Sequence, residues 1–370
     1  MSVNFPYRTS EIPGFAFSVK TTPSDFEVDE VLSYEPCGEG EHAYLLIEKT
    51  GISTMKAVRS IARSLGVPEQ AIGMAGLKDA RAKTRQTLSL HMPGTPESLD
   101  VRGVRVLNAT RHANKLKIGH LRGNRFIIKL REFNSEDVPA MRRVFQRLYE
   151  KGMPNYFGVQ RFGMHGNTWE IGQAILKEDK ALARKLAGWH NLQNRRMVAF
   201  YVSAFQSWLF NHYLARRIDA IETLWLGDLA FRHDSGAVFS VEDPRAEQKR
   251  VDDFEISPSG PVFGHKMTRA TGRAGELEQE ILDEFKVKPE DFRTKHARRL
   301  PGARRALRVR PGDLSFEEGE DEAGPYCKLC FMLPSGCYAT ELLGEIGKEK
   351  MNYVEKEEAK DSGQSGIIAS

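Results

Sequence analysis

The chain lacks the features that would mark a membrane, exported or metal-dependent protein. Across 370 residues, 40% of them hydrophobic and 28% charged, no apolar run approaches the roughly 18 residues that a spanning helix needs. Residues Met1 to Ser10 have no basic start followed by an apolar core and a small-residue cleavage site, so export is not expected and the cytoplasm is the expected compartment. Four cysteines are too few for a disulfide scaffold. Cys327 and Cys330 have zinc-pair or redox-pair spacing, but Tyr326 to Leu333 reads as a strand, in which residues three apart point to opposite faces. No second Cys/His pair accompanies them, and metal binding is not expected. The ten histidines are scattered, and there is no Walker loop, dinucleotide glycine fingerprint, His-Glu-x-x-His or Gly-x-Ser-x-Gly. Cofactor-free chemistry, or binding without chemistry, is what these absences leave.

Charge is unevenly spread. Arg102 to Arg131 carries nine Lys/Arg and no acid, Arg293 to Arg310 carries eight and no acid, and Asp313 to Glu322 carries six acids and no base. Such segregation predicts a polyanion-binding face with an acidic segment set apart from it. Asp79 runs against this pattern. It is the only acid between Gln70 and Pro96, with Lys78, Arg81, Lys83 and Arg85 around it. A loop that serves only to hold phosphates loses affinity by including a carboxylate, so the acid needs a separate reason. Neighbouring cations keep it ionised, which suits a nucleophile or an ion-paired anchor. Turn formation or helix capping is the ordinary work of Asp in such a segment.

The N-terminal third reads as short strands at Phe15–Thr21, Phe26–Leu32, His42–Lys49, Thr84–His91, Val104–Ala109, Lys115–Ile118 and Arg125–Leu130. One helix capped by Ser53 ends at Gly66, and another spans about Ser135–Lys151. After Gly152 the texture turns helical, notably at Asn167–Lys177 and Met197–Ile218, with a Gly/Pro-rich stretch at Ser257–Gly264. The strand pattern returns after Pro311. This order predicts an α+β fold in which residues 1–152 and 311–354 form one discontinuous domain, residues 153–310 an insertion, and residues 355–370 a disordered tail.

Five segments in order carry a resemblance. They are Asp25-Phe26-Glu27-Val28-Asp29-Glu30 with Lys20 before it and Gly38 to His42 after it, the Gly76-Leu77-Lys78-Asp79 loop, Leu121-Arg122-Gly123-Asn124-Arg125-Phe126, Pro154 to Gly163, and Leu333 to Leu342. Together they resemble the tRNA pseudouridine synthase D family across nearly the whole chain. The resemblance implies a pseudouridine synthase core around a long mixed or antiparallel sheet, with an inserted α+β domain clamping RNA from the other side of a cleft. It further implies isomerisation of a uridine of tRNA, typically uridine 13 in bacterial members, without a cofactor.

On this resemblance the family's catalytic aspartate falls on Asp79. Lys20 is the lysine that pairs with it, Asn124 holds the loop or the flipped nucleotide, and Phe126 and Tyr338 are the aromatic positions that hold an unstacked base. Lys78, Arg81, Lys83, Arg122, Arg125 and Arg161 are expected to contact RNA, and the two acid-free basic stretches to track phosphates. The alternative reading of Phe126 is a core residue, and that of Lys20 a solvated strand lysine. Ala80 stands where many members have a basic residue, and Gly344 where the family has an arginine, which predicts a looser final helix. A monomer is expected. An RNA-binding or RNA-folding protein without chemistry is the competing reading, and an RNA hydrolase ranks behind both.

Overall fold

The computed structural model describes residues 5–96, 98–163, 166–293 and 300–354. The expected tail, and Lys295 to Arg299 of the second basic stretch, lie outside the described residues. In chain order the strands are β1 (Phe17–Val19), β2 (Phe26–Leu32), β3 (His42–Thr50), β4 (Gly73–Met74), β5 (Lys83–His91), β6 (Val104–His112), β7 (Leu121–Leu130), β8 (Met153–Pro154), β9 (Leu229–Arg232), β10 (Val238–Ser240), β11 (Ile256–Val262), β12 (Ala303–Ala306), β13 (Arg308–Val309), β14 (Gly312–Asp321), β15 (Gly324–Pro334) and β16 (Met351–Tyr353). The helices are α1 (Thr54–Ser64), α2 (Val138–Lys151), α3 (Thr168–Leu176), α4 (Lys180–Ala187), α5 (Trp189–Gln193), α6 (Arg195–Arg216), α7 (Pro244–Asp252), α8 (Gly272–Glu284) and α9 (Ala339–Gly347).

Two compact units divide the chain. One comprises Pro13–Tyr149, Pro311–Ala339 and the chain from Ile346 on; the other comprises the chain before Pro13, Glu150–Arg310 and Thr340–Glu345. The short N-terminal segment belongs with the second unit because its backbone is bonded there. The amide nitrogens of Arg8 and Thr9 donate to the Glu345 carboxylate at 2.8 and 3.0 Å, and the Tyr156 hydroxyl donates to the Pro6 carbonyl at 3.2 Å.

The first unit is built on an eight-stranded mixed sheet in the order β14-β15-β7-β2-β5-β3-β6, with β4 also paired to β5. The β2–β5 pair is parallel and its neighbours antiparallel, so the fold is α+β as expected. Helix α1 starts where Ser53 Oγ accepts from the Lys56 amide at 3.3 Å. It buries Val58, Ile61 and Ala62 against Leu45, Ile47, Leu88 and Leu90, each large aliphatic side chain contributing about 2 kcal/mol. Gly66, at φ 66°, takes the left-handed conformation after the helix, where glycine avoids the Cβ penalty. Phe145 of α2 meets the edges of Phe316 and Phe331. Parallel pairing of β16 with β1 sets Val19 opposite Tyr353.

Lys115–Ile118, read as a strand, lies in none. The Leu116 amide donates to Ser89 Oγ at 2.9 Å, a side-chain anchor in place of a ladder. In the second unit, α6 begins at Asn194, whose side chain accepts from the Arg196 amide at 2.9 Å. Phe205, Leu209, Phe210 and Tyr213 of α6 form the core with Ile281 and Leu307. The Gly/Pro-rich stretch at Ser257–Gly264 is largely the buried strand β11 of a four-stranded sheet ordered β10-β9-β11-β12. Gly260 is required there because a Cβ would lie 2.9 Å from the rings of both Phe210 and Tyr213.

The charge runs are corrected by their partners. The acidic segment is not set apart from the first basic stretch: Asp321 pairs with Lys129 at 2.6 Å and Arg131 at 2.8 Å. Arg131 is also buried against Asp25 at 2.6 Å. In the second stretch, Arg304 is buried on Glu278 at 2.5 Å, and Arg308 donates to the carbonyls of Lys151 and Val251. Linear charge counting cannot separate such structural cations from exposed ones. A buried charge without a partner is costly, so these arginines bind carboxylates and carbonyls of the fold.

Candidate active site

The Asp79 loop joins β4 to β5 and is held by buried polar side chains of β3 and α1. Lys49 shares a strand face with Leu45 and Ile47, is 1% exposed, and donates to the carbonyl oxygens of Asp79 at 2.7 Å and Ile52 at 2.8 Å. Burial pulls its ammonium down to about 8, although Asp79 opposes the change. Thr54 Oγ1, at the first residue of α1, accepts from the Lys78 amide at 2.8 Å and donates to Gln86 Oε1 at 2.8 Å. Alternation along the strand is the sequence signal for Lys49: a lysine in register with core residues needs an internal acceptor.

Asp79 turns the chain and faces Lys20. Its Oδ1 accepts from the Arg81 amide at 3.0 Å, the turn geometry common for Asp, and its Oδ2 accepts from Lys20 Nζ. The turn role and the ion-pair role therefore coexist. Burial pushes the carboxyl upward, but the Lys20 charge and hydrogen bond, the Arg81 amide and Lys49 outweigh it, so Asp79 titrates below its ordinary range.

Lys20 is not a solvated strand lysine. It directly follows β1 at φ 62°, a conformation that side chains other than glycine rarely adopt and that concentrates at functional sites. Its ammonium lies 4.5 Å from the Phe26 ring centroid and 4.9 Å from that of Tyr353. Burial pulls the pKa down, but Tyr353 and Asp79 together raise it above the ordinary lysine value. Tyr353 was not singled out from sequence, because only the parallel pairing of the chain's two extremities brings it here.

The remaining expected residues separate by environment. Asn124 lies on β7 opposite Glu30 of β2 and Leu333 of β15. Its Oδ1, like Glu30 Oε1, is a buried atom without a hydrogen-bond partner among the described residues. Phe126 is 8% exposed, stacked on Phe331 at 5.3 Å and edge-on to Phe26 at 6.2 Å, so its ring is one aromatic layer from Lys20. Tyr338 is partly buried, beyond a turn in which the Ser335 amide donates to the Arg122 carbonyl at 3.1 Å.

Of the expected RNA cations, Arg122 and Arg125 are exposed on β7 and Arg81 is partly exposed. Lys83 stands 3.4 Å from Glu27 and 3.6 Å from Glu48. Arg161, in the second unit, donates to Ser203 Oγ at 2.6 Å and lies over Phe200. Lys78 departs from the expectation. Its side chain is 6% exposed, and its ammonium sits 2.6 Å from the carboxylate of Glu30, whose side chain is 0% exposed. A sealed and neutralised cation has no charge to offer a phosphate, so Lys78 anchors the loop instead.

The chain is similar to known proteins along most of its length. The family model described as tRNA pseudouridine synthase D (TruD) matches residues 2–187 and 185–346. The chain is 38% identical to tRNA pseudouridine synthase D of Syntrophotalea carbinolica, over 92% of this chain and 98% of the relative. It is 40% identical to tRNA pseudouridine synthase D of Thermus thermophilus, over 97% of each. The crystal structure of a Methanosarcina mazei chain assigned to tRNA pseudouridine synthase D superposes with a TM-score of 0.75 at 25% identity, over 93% of this chain and 96% of that one. With matches of this extent in sequence and in fold, the chain belongs to the tRNA pseudouridine synthase D family.

Proposed function

We propose that this chain isomerises a uridine of tRNA to pseudouridine, that the target is uridine 13, and that Asp79 is the nucleophile. The observation that carries the reading is the Lys20–Asp79 pair: the lysine side chain is 7% exposed and the carboxylate 37% exposed, so the anion is fixed from behind and open in front. A carboxylate attacks a sugar carbon of oxocarbenium character when it is ionised and positioned. In this scheme an Asp79 oxygen bonds to C1′ as the C1′–N1 bond breaks. The freed uracil turns, C5 bonds to C1′ as the ester bond opens, C5 loses its proton and N1 gains one. The overall change is an isomerisation with no net redox step.

The target base must leave its stack to be reached. Tyr338 and the edge of the Phe126 layer are the aromatic surfaces we assign to holding it, and Asn124 is the polar one. Arg81, Arg122 and Arg125 supply phosphate contacts. The test is pseudouridine mapping at single-nucleotide resolution on unmodified tRNA transcripts, with Asp79→Asn alongside. The reading expects one modified uridine that disappears in the variant while tRNA binding persists. Tight tRNA binding with no pseudouridine in the wild type would support an RNA-binding protein without chemistry.

A further inference from the structure

In the second unit, Lys180 to Ile218 contains seven Lys/Arg and no acid. Arg216 and Arg217, at its far end, are paired with Glu280, Glu284 and Asp228. The other five, Lys180, Arg184, Lys185, Arg195 and Arg196, form no ion pair among the described residues. All five are exposed. In the basic stretches noted earlier, by contrast, Lys129, Arg131 and Arg304 are held by carboxylates of the fold.

Among these five cations stands Trp189, 58% exposed, with the Arg184 guanidinium 4.5 Å from its ring centroid. The other three tryptophans are packed. Trp169 and Trp208 stack face to face at 4.5 Å, and Trp225 has Arg217 at 3.5 Å and Arg273 at 3.9 Å. An indole left in water forgoes the stabilisation that burial of its ring would bring. The ring is mounted firmly, since Leu186 and Ala187 just before it pack on a cluster of Ile171, Met197 and Tyr201, and Asn194 directly after α5 caps α6.

We propose that Trp189 and the cations Lys180, Arg184, Lys185, Arg195 and Arg196 form an RNA-docking platform that takes one unpaired base on the indole and the flanking phosphates on the side chains around it. A flat ring among unpaired cations matches the two parts of a nucleotide, because base stacking on an aromatic residue contributes about 1–3 kcal/mol and phosphate neutralisation supplies the salt-dependent remainder. Insertion into a membrane surface would call for a broad apolar face, whereas the apolar exposure here is one ring with Leu182 at 41%. The proposal rests on the RNA-modifying reading but concerns residues of the second unit, whereas the Asp79 loop belongs to the first.

The test uses the full chain and an unmodified tRNA transcript. Dissociation constants are measured across a salt series, with steady-state pseudouridine formation, for wild type, Trp189→Ala, Trp189→Phe and the triple variant Arg184→Gln/Arg195→Gln/Arg196→Gln. Trp189→Ala is expected to weaken binding about 5- to 100-fold and to raise KM far more than it changes kcat, with Trp189→Phe restoring most of the affinity. The triple variant is expected to flatten the slope of log affinity against log salt by about two to three. Acrylamide quenching of tryptophan fluorescence should be protected by tRNA in wild type and not in Trp189→Phe. Unchanged affinity in Trp189→Ala, or loss of binding to phosphatidylserine vesicles with tRNA affinity intact, overturns the platform. Weakened tRNA binding by Trp189→Ala in a wild type that makes no pseudouridine supports the platform and removes the activity reading, so the two failures are distinguishable.

Discussion

Lys20 and Asp79, fifty-nine residues apart, form an ion pair of unequal burial, with the lysine sealed and the carboxylate a third exposed. Phe26 and Tyr353 flank the ammonium, so the cation cannot leave the pair for solvent. The acid therefore has one fixed partner behind it and an open side in front. That arrangement keeps a carboxylate charged and correctly aimed without neutralising the face it presents.

Removing the lysine should move the acid limb of the activity profile. Asp79 is held below its ordinary 3.8, so ionisation of this group leaves wild-type activity flat from about pH 5 upward, and the stability from the pair is lost only as pH falls through the depressed value. In Lys20→Met, burial without its counter-charge raises the carboxyl. The expected result is an acid limb shifted upward by a unit or more and a kcat loss of at least about tenfold at pH 7. A limb that stays in place would remove Lys20 from that role.

Tyr353 should act on rate through Lys20. Its ring lies 4.9 Å from the ammonium, and Tyr353 is one of the groups that raise the Lys20 pKa. Tyr353→Phe keeps the ring and should lower kcat a few-fold with KM unchanged; Tyr353→Leu should lower it further. Equal losses in kcat and tRNA affinity would instead indicate collapse of the β1–β16 pairing.

Lys49→Met tests the support under the loop. Three carbonyl oxygens, those of Ile52, Lys78 and Asp79, would lose a charged donor, at a cost of about 1–3 kcal/mol, partly offset because the burial that pulls Lys49 down to about 8 no longer acts on a charge. Faster hydrogen exchange confined to the Lys78 and Arg81 amides, with about a tenfold lower kcat, is the expected pair of results. Unchanged exchange would show that Thr54 alone holds the loop.

Glu341 predicts a pH effect on stability in the second unit. Burial and the neighbouring Glu345 push its carboxyl up to about 7. A folded value above the unfolded one means that the contribution is fully present below about 4.5 and is lost as pH rises through 7. Glu341→Gln should therefore gain stability relative to wild type between pH 5 and pH 8, by about 2 kcal/mol, read from denaturant midpoints. A constant difference across that range would contradict it.

Gly344 offers a stabilising change. Helix α9 runs through it without interruption, so the looser helix expected from sequence is not seen. A Cβ there would rest 3.7 Å from the Tyr7 ring, an ordinary contact. Gly344→Ala should raise stability by about 0.5–1 kcal/mol, checked by thermal melting.

Much of the candidate site was legible before folding because it is local. Asp79 stood out as one acid among cations, and an aspartate within a turn can be read from its neighbours. The strands β2, β3 and β5 and the helix after Ser53 follow from periodicity and capping, which depend on residues a few positions apart. The α+β class followed from their order.

The tertiary structure decided which charges are spent. Lys78, Arg131, Arg304 and Arg308 look like phosphate ligands in a linear count, yet each lies against a carboxylate or carbonyl brought by a distant segment. Arg184, Arg195 and Arg196 carry the same charge and remain in water. Lys49 and Tyr353 reach the site only through strand pairing, across 30 residues to Asp79 for one and across the whole first unit for the other. Backbone propensity and hydrophobic spacing act over a few residues and are written in the sequence. Desolvation and charge pairing depend on which groups share a volume, and only the folded chain settles that.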